Sequence, residues 1–262
     1  MKQEIRLFLA ALQFYTRIPV GRWLHTHMPL SEATKYLPAV GWVTGFASGV
    51  ALTGTALLFG TPLAAVLSMA ASVLLTGALH EDGFADFCDG FGGGWTKERI
   101  LDIMKDSRTG SYGVAGLVLL LLTRFLALCE LSTMLQGQAV PFILLLITAH
   151  AVSRFAAASF LFTHPYVRPL QSSKAGEAAV PVRKSAVAVC ILLAAVPFTA
   201  TLFITRMPLL FWLIPVLALL RFYLGRYFSR WIGGYTGDCL GAAQQLTEVA
   251  AYLTFIALWK FS

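Results

Sequence analysis

Long apolar runs separated by short polar loops constrain this 262-residue chain more than any other feature. Seven can be marked: Tyr36 to Phe59, Pro62 to Leu79, Tyr112 to Leu135, Val140 to Phe162, Ala186 to Thr205, Pro208 to Leu224 and Gly241 to Leu258. A run of about 18 or more apolar residues is what a helix needs to cross a bilayer, and a soluble core has no use for so many. Composition agrees, with 57% of residues hydrophobic and 13% charged, against about 25% charged in ordinary soluble domains. The expected fold is all-α: a polytopic transmembrane helical bundle of about seven membrane helices, making one integral membrane domain over 1–262. Residues 4–18 intersperse Glu4, Arg6 and Gln13 with apolar residues and read as an amphipathic interfacial helix inside an N-terminal arm, 1–35. No segment there reads as a signal peptide.

The net charge of +7 is scattered between the apolar blocks. No single basic face is available for nucleic acid, so topology explains the charge better. Basic residues gather in the arm (Lys2, Arg6, Arg17, Arg22, Lys35) and after the second segment (Lys97, Arg99, Lys105, Arg108). They gather again after the fourth segment (Arg168, Lys174, Arg183, Lys184) and after the sixth (Arg226, Arg230). The turns at Gly60-Thr61, Gln136 to Ala139 and Arg206-Met207 are nearly bare. The positive-inside rule then puts the N-terminus and every long polar loop in the cytoplasm, and the C-terminus outside a bacterial inner membrane. Cys88, Cys129, Cys190 and Cys239 lack metal-finger or C-x-x-C spacing and are expected as reduced thiols. No internal repeat suggests a two-halved transporter.

Seven of the thirteen acidic residues fall between Glu81 and Asp106, in a stretch, 80–112, expected to be a cytoplasmic helical loop. In His80-Glu81-Asp82-Gly83-Phe84-Ala85-Asp86-Phe87-Cys88-Asp89-Gly90, three aspartates stand at i, i+4 and i+7 and share one helical face. Carboxylates so close repel unless a cation lies between them, and Mg²⁺ takes such oxygen ligands together with substrate phosphates. Asp82, Asp86 and Asp89 are therefore the expected metal ligands. Thr96 is placed to cap a helix running to Ser107, with Glu98, Asp102 and Asp106 at i, i+4 and i+8. Lys105-Asp106-Ser107-Arg108-Thr109-Gly110-Ser111-Tyr112-Gly113 mixes the cations, hydroxyls and glycines that hold phosphate. Within the apolar segments, Arg124 with Glu130 reads as a structural pair and Arg154, near His150 and Ser153, as a ligand candidate. Asp238 and Glu248, near the start of the seventh segment, are spaced for a shared face. The acidic, phosphate-type and Asp238 loops all fall on the cytoplasmic side, as an active site built from several helix ends requires.

Those blocks, with Thr236-Gly237-Asp238, Gly241-Ala242-Ala243 and Glu248, closely resemble the cobalamin synthase family. Phe14-Tyr15-Thr16-Arg17-Ile18-Pro19, Tyr36-Leu37-Pro38-Ala39-Val40-Gly41 and Ser153-Arg154 extend the resemblance over nearly the whole chain. Phe87, Cys88 and Gln244 depart from the family pattern and leave the carboxylates intact. The resemblance implies an Mg²⁺-dependent enzyme that joins adenosylcobinamide-GDP to α-ribazole or its 5′-phosphate and releases GMP. It implies catalytic roles for Glu81, Asp82, Lys105, Asp106 and Arg108, and substrate binding by Arg154, Ser107, Gly237, Asp238 and Glu248. Glu81 would be a further ligand or the base, and Lys105 and Arg108 would neutralise the diphosphate. The implied partners are these two substrates and the lipid bilayer, with no nucleic acid and with a homo-oligomer left open. Two other classes compete. A CDP-alcohol phosphotransferase-like lipid enzyme also uses aspartates at the membrane edge, but its Asp-Gly-x-x-Ala-Arg signature needs Arg where this chain has Asp86. An ion-coupled transporter needs acids deep in the membrane, and Glu130 is the expected deep acid.

Overall fold

The computed structural model describes residues 2–21, 28–168 and 184–261. Arg22, Lys174 and Arg183 of the basic loops lie outside the described residues. Among those described, regular structure is helical apart from one isolated parallel bridge between Tyr166 and Tyr235. The helices are α1 (Lys2–Tyr15), α2 (Leu30–Ala33), α3 (Leu37–Phe59), α4 (Thr61–Thr76), α5 (Leu79–Gly93) and α6 (Lys97–Ile103). Then follow α7 (Ser111–Met134), α8 (Ala139–Thr163), α9 (Lys184–Thr205), α10 (Leu213–Ile232) and α11 (Gly237–Trp259).

Five stretches are long and apolar enough to cross a membrane: Leu30–Phe59, Ser111–Met134, Ala139–Thr163, Ser185–Thr205 and Pro208–Ile232. Their outer faces stay uncovered, with Leu57 87% and Phe203 79% exposed. Contiguous apolar surface of this kind fits a lipid solvent, and the chain is a multi-pass membrane protein. The second apolar segment departs from expectation. It ends at Thr76, and α4 meets the criterion only jointly with α5, from which it is bent by 90°. Gly77 (φ 67) and Ala78 (φ 59) are both left-handed and make this elbow; two such residues in succession cannot continue a right-handed helix. The sixth segment opens with a 3₁₀ turn over Pro208–Trp212, and its helix runs past Leu224 to Ile232. The seventh, α11, is 23 residues long but buries Gln244, Gln245 and Glu248, which lower its apolarity.

Backbone proximity holds the bundle's centre. A Cβ on Gly41 would stand 2.5 Å from the His150 carbonyl oxygen, and one on Gly45 2.7 Å from Ile147 Cα. The small residues recurring every fourth position on α3 thus let it lie against the α8 backbone, the usual device where apolar burial cannot drive helices together. Beside this contact, Leu128, Leu131, Leu145, Leu146, Tyr252 and Phe255 form the apolar core. The expected amphipathic helix forms as α1. Its apolar side, with Leu7, Ala11 and Tyr15, packs against Leu37, Val40 and Ala158 of the bundle. Glu4 on its polar side accepts from the Tyr36 hydroxyl (2.6 Å) and pairs with Lys35 (2.6 Å). Beyond α1, the Arg17 amide donates to the Leu75 carbonyl (2.8 Å), tying the arm to the α4–α5 elbow.

Candidate active site

The elbow lays α5 across one end of the bundle, where it crosses the start of α11. The crossing is possible because both helices carry glycine there. A Cβ on Gly83 would stand 3.2 Å from Asp238 Cα, and one on Gly241 3.1 Å from Gly83 Cα. Asp82 and Asp86, which flank Gly83 in sequence, are thereby brought beside Asp238 in the first turn of α11. Thr236 caps that turn by accepting from the Cys239 amide (3.3 Å). Asp238 accepts from Arg168 Nη2 (2.9 Å) and from the Thr236 hydroxyl (3.3 Å). Burial, and then the negative charges of Asp238 and Asp82, push the Asp86 carboxyl up to about 7.

The shared face of the three aspartates is real, but they do different things. Asp82 is exposed and Asp86 half-buried. Asp89 is buried, and it gives one oxygen to the Gly110 amide (2.6 Å) and the other to the Gly113 amide (2.8 Å). Gly110 precedes the first turn of α7 and has no side chain to cap it, so Asp89 supplies the cap from another helix. The acidic block and the phosphate-type loop are joined by these two bonds.

Past the short α6 the expected helix is cut back. Thr96 caps it, accepting from the Arg99 amide (3.3 Å), but it ends at Ile103, and Asp106 lies in the following turn. There Asp106 grips Arg108 with both oxygens (Nε to Oδ1 3.0 Å, Nη2 to Oδ2 2.7 Å) and also accepts from the Arg108 amide (3.1 Å). These bonds, the side-chain ones foremost, hold the Asp106 carboxyl down at about 2. Arg108, Asp106, Arg99, Asp102, Ser111 and Tyr112 border an open basin of about 560 Å³ that reaches Asp89. Lys105 and Ser107 are exposed beside it. Gly237 opens α11 next to Asp238.

Behind α5 lies a second polar group, fully inside the bundle. Glu248 forms an ion pair with Arg124 Nη2 (3.0 Å) and accepts from Gln244 (2.6 Å) and from the Tyr252 hydroxyl (3.2 Å). Arg154 stands 3.6 Å from its other oxygen, and His150 Nε2 3.5 Å away without the alignment of a hydrogen bond. Arg124 also donates to Ser72 (3.0 Å) and lies 3.7 Å from Glu81, which accepts from Gln245 (2.9 Å). Three expectations are corrected here. Arg124 pairs with Glu248 and Glu81, not Glu130, which is half-exposed and meets Lys260 (3.7 Å). The deep acid is therefore Glu248, 1% exposed, and it shares no site with Asp238. Glu81, Arg154 and Glu248, expected at the substrate, are all buried in this network. The pairings join residues from five helices, α4, α5, α7, α8 and α11, which no local spacing encodes.

Asp82, Asp86 and Asp238 are hard oxygen donors, and the Asp86 carboxyl is pushed up first by burial and then by its acidic neighbours Asp238 and Asp82. Among the described residues no three His, Cys, Asp or Glu side chains are placed to hold a metal ion by themselves. Mg²⁺ commonly takes only one or two protein carboxylates and completes its shell with substrate oxygens and water, so these residues fit it. The four cysteines are free, as expected.

A family model described as cobalamin-5-phosphate synthase matches residues 7–256. Among curated proteins, the adenosylcobinamide-GDP ribazoletransferase of Shewanella amazonensis is 42% identical, over 100% of this chain and 98% of that protein. The adenosylcobinamide-GDP ribazoletransferase of Vibrio parahaemolyticus is 41% identical, over 99% of this chain and 95% of its own. No solved structure matches.

Proposed function

The chain belongs to the cobalamin-5-phosphate synthase family, and we propose that it joins adenosylcobinamide-GDP to α-ribazole or its 5′-phosphate, releasing GMP, with Mg²⁺ held by Asp82, Asp86 and Asp238. The observation that carries this reading is the meeting of the acidic block with Asp238 at one crossing and with the phosphate-type loop through Asp89. Carboxylates for a cation and an arginine-bearing basin for a diphosphate stand side by side.

In the proposed reaction a ribose hydroxyl of the ribazole attacks the phosphorus linked to cobinamide. The new P–O bond forms as the bond to the bridging diphosphate oxygen breaks, and GMP leaves with that oxygen. Mg²⁺, when bound, neutralises diphosphate oxygens. Arg108, steadied by Asp106, and the exposed Lys105 meet the remaining negative charge. Asp82 is the exposed one of the three carboxylates, and an oxygen it does not lend to the cation takes the hydroxyl proton. That role does not suit Glu81, which is buried, with one oxygen held by Gln245 and 3.7 Å from Arg124. Glu248 and Arg154 hold helices together and do not bind substrate.

Protein in liposomes, given adenosylcobinamide-GDP, α-ribazole 5′-phosphate and Mg²⁺, is expected to release one GMP per cobamide phosphate formed, and EDTA to stop it. Well-folded protein that releases no GMP in response to ribazole would refute the activity. Lipid-headgroup dependence in place of ribazole dependence would favour a phospholipid-type phosphotransferase.

The orientation we propose, with this end of the bundle in the cytoplasm of a bacterial inner membrane, rests on the basic loops around it. Reporter fusions after Gly233 should read cytoplasmic and fusions after Gln136 external. Both on one side would remove that orientation.

A further inference from the structure

We propose that Arg168 is a substrate-contacting residue: paired with Asp238 in the free protein, it holds the place of a cation among the carboxylates and passes to the diphosphate when metal and substrate enter. This rests on the activity proposed above and adds a residue to it.

Four of the other arginines near this end are engaged elsewhere, and Arg99 borders the basin. Arg124 and Arg154 are 1% exposed and held in the Glu248 network. Arg221 donates to Ser159 (2.8 Å) and Thr163 and lies over the Phe160 ring (4.3 Å). Arg108 is held by Asp106 along one edge of its guanidinium and already faces the basin in the role given above. Arg168, at 20% side-chain exposure, makes one hydrogen bond among the described residues, to Asp238 Oδ2. A guanidinium has five N–H donors in a planar fork that matches two phosphate oxygens at once, and among the described residues one of them is spent.

Its placement is built. The chain leaves α8 through His164, Pro165 and Tyr166 and pairs there with the segment leading into α11. The Val167 amide donates to the Tyr235 carbonyl (3.1 Å), and the Tyr235 amide donates to the Pro165 carbonyl (3.0 Å). Tyr166 and Tyr235 also meet edge to face, with ring centroids 5.5 Å apart. The backbone just before Arg168 is thus fixed to the segment that leads into Asp238, which sets the arginine beside that carboxylate. Its positive charge also reaches Asp86. One arginine facing Asp82, Asp86 and Asp238 leaves the group negative, which invites a divalent cation. Once that cation takes Asp238, the arginine loses its partner just where a diphosphate brings a new one.

A permanent pin between Arg168 and Asp238 would look the same in the free protein, and metal binding separates the two. Full-length wild type, Arg168→Gln and Arg168→Lys are reconstituted in liposomes and titrated with Mn²⁺ alone, free Mn²⁺ being read by its paramagnetic resonance. Because a competing positive charge has gone, Arg168→Gln is expected to bind Mn²⁺ about fivefold more tightly than wild type. In turnover assays the same variant is expected to lose about a hundredfold in kcat/KM, much of it as a raised KM for adenosylcobinamide-GDP. Arg168→Lys keeps the charge but not the fork, so it should bind Mn²⁺ like wild type and still show the raised KM; this arm decides the matter if the Gln variant folds poorly. Unchanged or weakened Mn²⁺ binding in Arg168→Gln, or an unchanged KM in either variant, overturns the proposal. Wild type that neither binds Mn²⁺ nor releases GMP shows instead that the underlying activity is wrong, and the proposal goes with it.

Discussion

Asp86→Ala and Asp82→Ala are each expected to lower turnover by about a hundredfold or more while leaving expression near normal, a loss comparable to removing a main electrostatic contact to the transition state. Neither side chain carries the fold. Asp82 is exposed and Asp86 half-buried, and burial among Asp82 and Asp238 makes the charged form of Asp86 costly. Asp86→Asn, which keeps the shape, should fail catalytically as badly as alanine. Asp89→Ala should also lose activity, but for another reason: two amides at the start of α7 lose their acceptor, so the Gly110 loop should become more protease-sensitive. A pH dependence accompanies this. A cation binds the ionised carboxylate, so a proton on Asp86 competes with it, and that proton is held to about 7. Apparent Mn²⁺ affinity should therefore be fully developed above pH 7 and weaken as pH falls below it, and in Asp86→Asn this dependence should flatten. If the alanine variants keep full turnover at limiting Mg²⁺, the acidic face is a solvated helix surface and the metal assignment fails.

The apolar blocks foretold most of the bundle, because a bilayer fixes helix length and demands that backbone polar groups be satisfied inside each helix. The i, i+4, i+7 aspartates were legible for a similar reason, since 3.6 residues per turn is local geometry. What escaped was set by contacts between distant segments. Gly77 and Ala78 turn α4 into α5 inside what reads as a single apolar-to-acidic run, and Ala78 carries no mark of a left-handed residue. Asp106 followed the i+4 spacing of an acidic helix, yet the helix ends at Ile103 and Asp106 instead grips Arg108 beyond it. Arg124 and Glu130 look paired on α7, whereas the partner with the better geometry, Glu248, is on α11. Arg168 read as one more basic loop residue, because its carboxylate stands 70 positions away.

Loss of either end of the Arg124–Glu248 pair should unfold the protein more readily than any change at the carboxylate face. Both residues are 1% exposed, and the network balances two arginines, Arg124 and Arg154, against two carboxylates, Glu81 and Glu248. Glu248→Ala strands both cations, leaving Glu81 at 3.7 Å from Arg124 as the remaining acid. Arg124→Ala leaves Glu248 facing Arg154 at 3.6 Å and cuts the link from Glu81 to α7. Removing one partner of a buried ion pair typically costs about 3–5 kcal/mol, because the other charge stays desolvated without compensation, while replacing both by apolar residues of similar size is often close to neutral. Thermal unfolding in detergent should therefore show a large drop in midpoint for each single variant. The drop should be smaller for Arg124→Leu combined with Glu248→Leu than the two single leucine changes added together. Activity separates this network from the site itself: Glu248→Gln, which keeps shape and some hydrogen bonds, should lose stability first and retain turnover in whatever fraction stays folded. Single variants that melt like wild type while losing turnover would overturn this, and would return Glu248 to the substrate side of the mechanism.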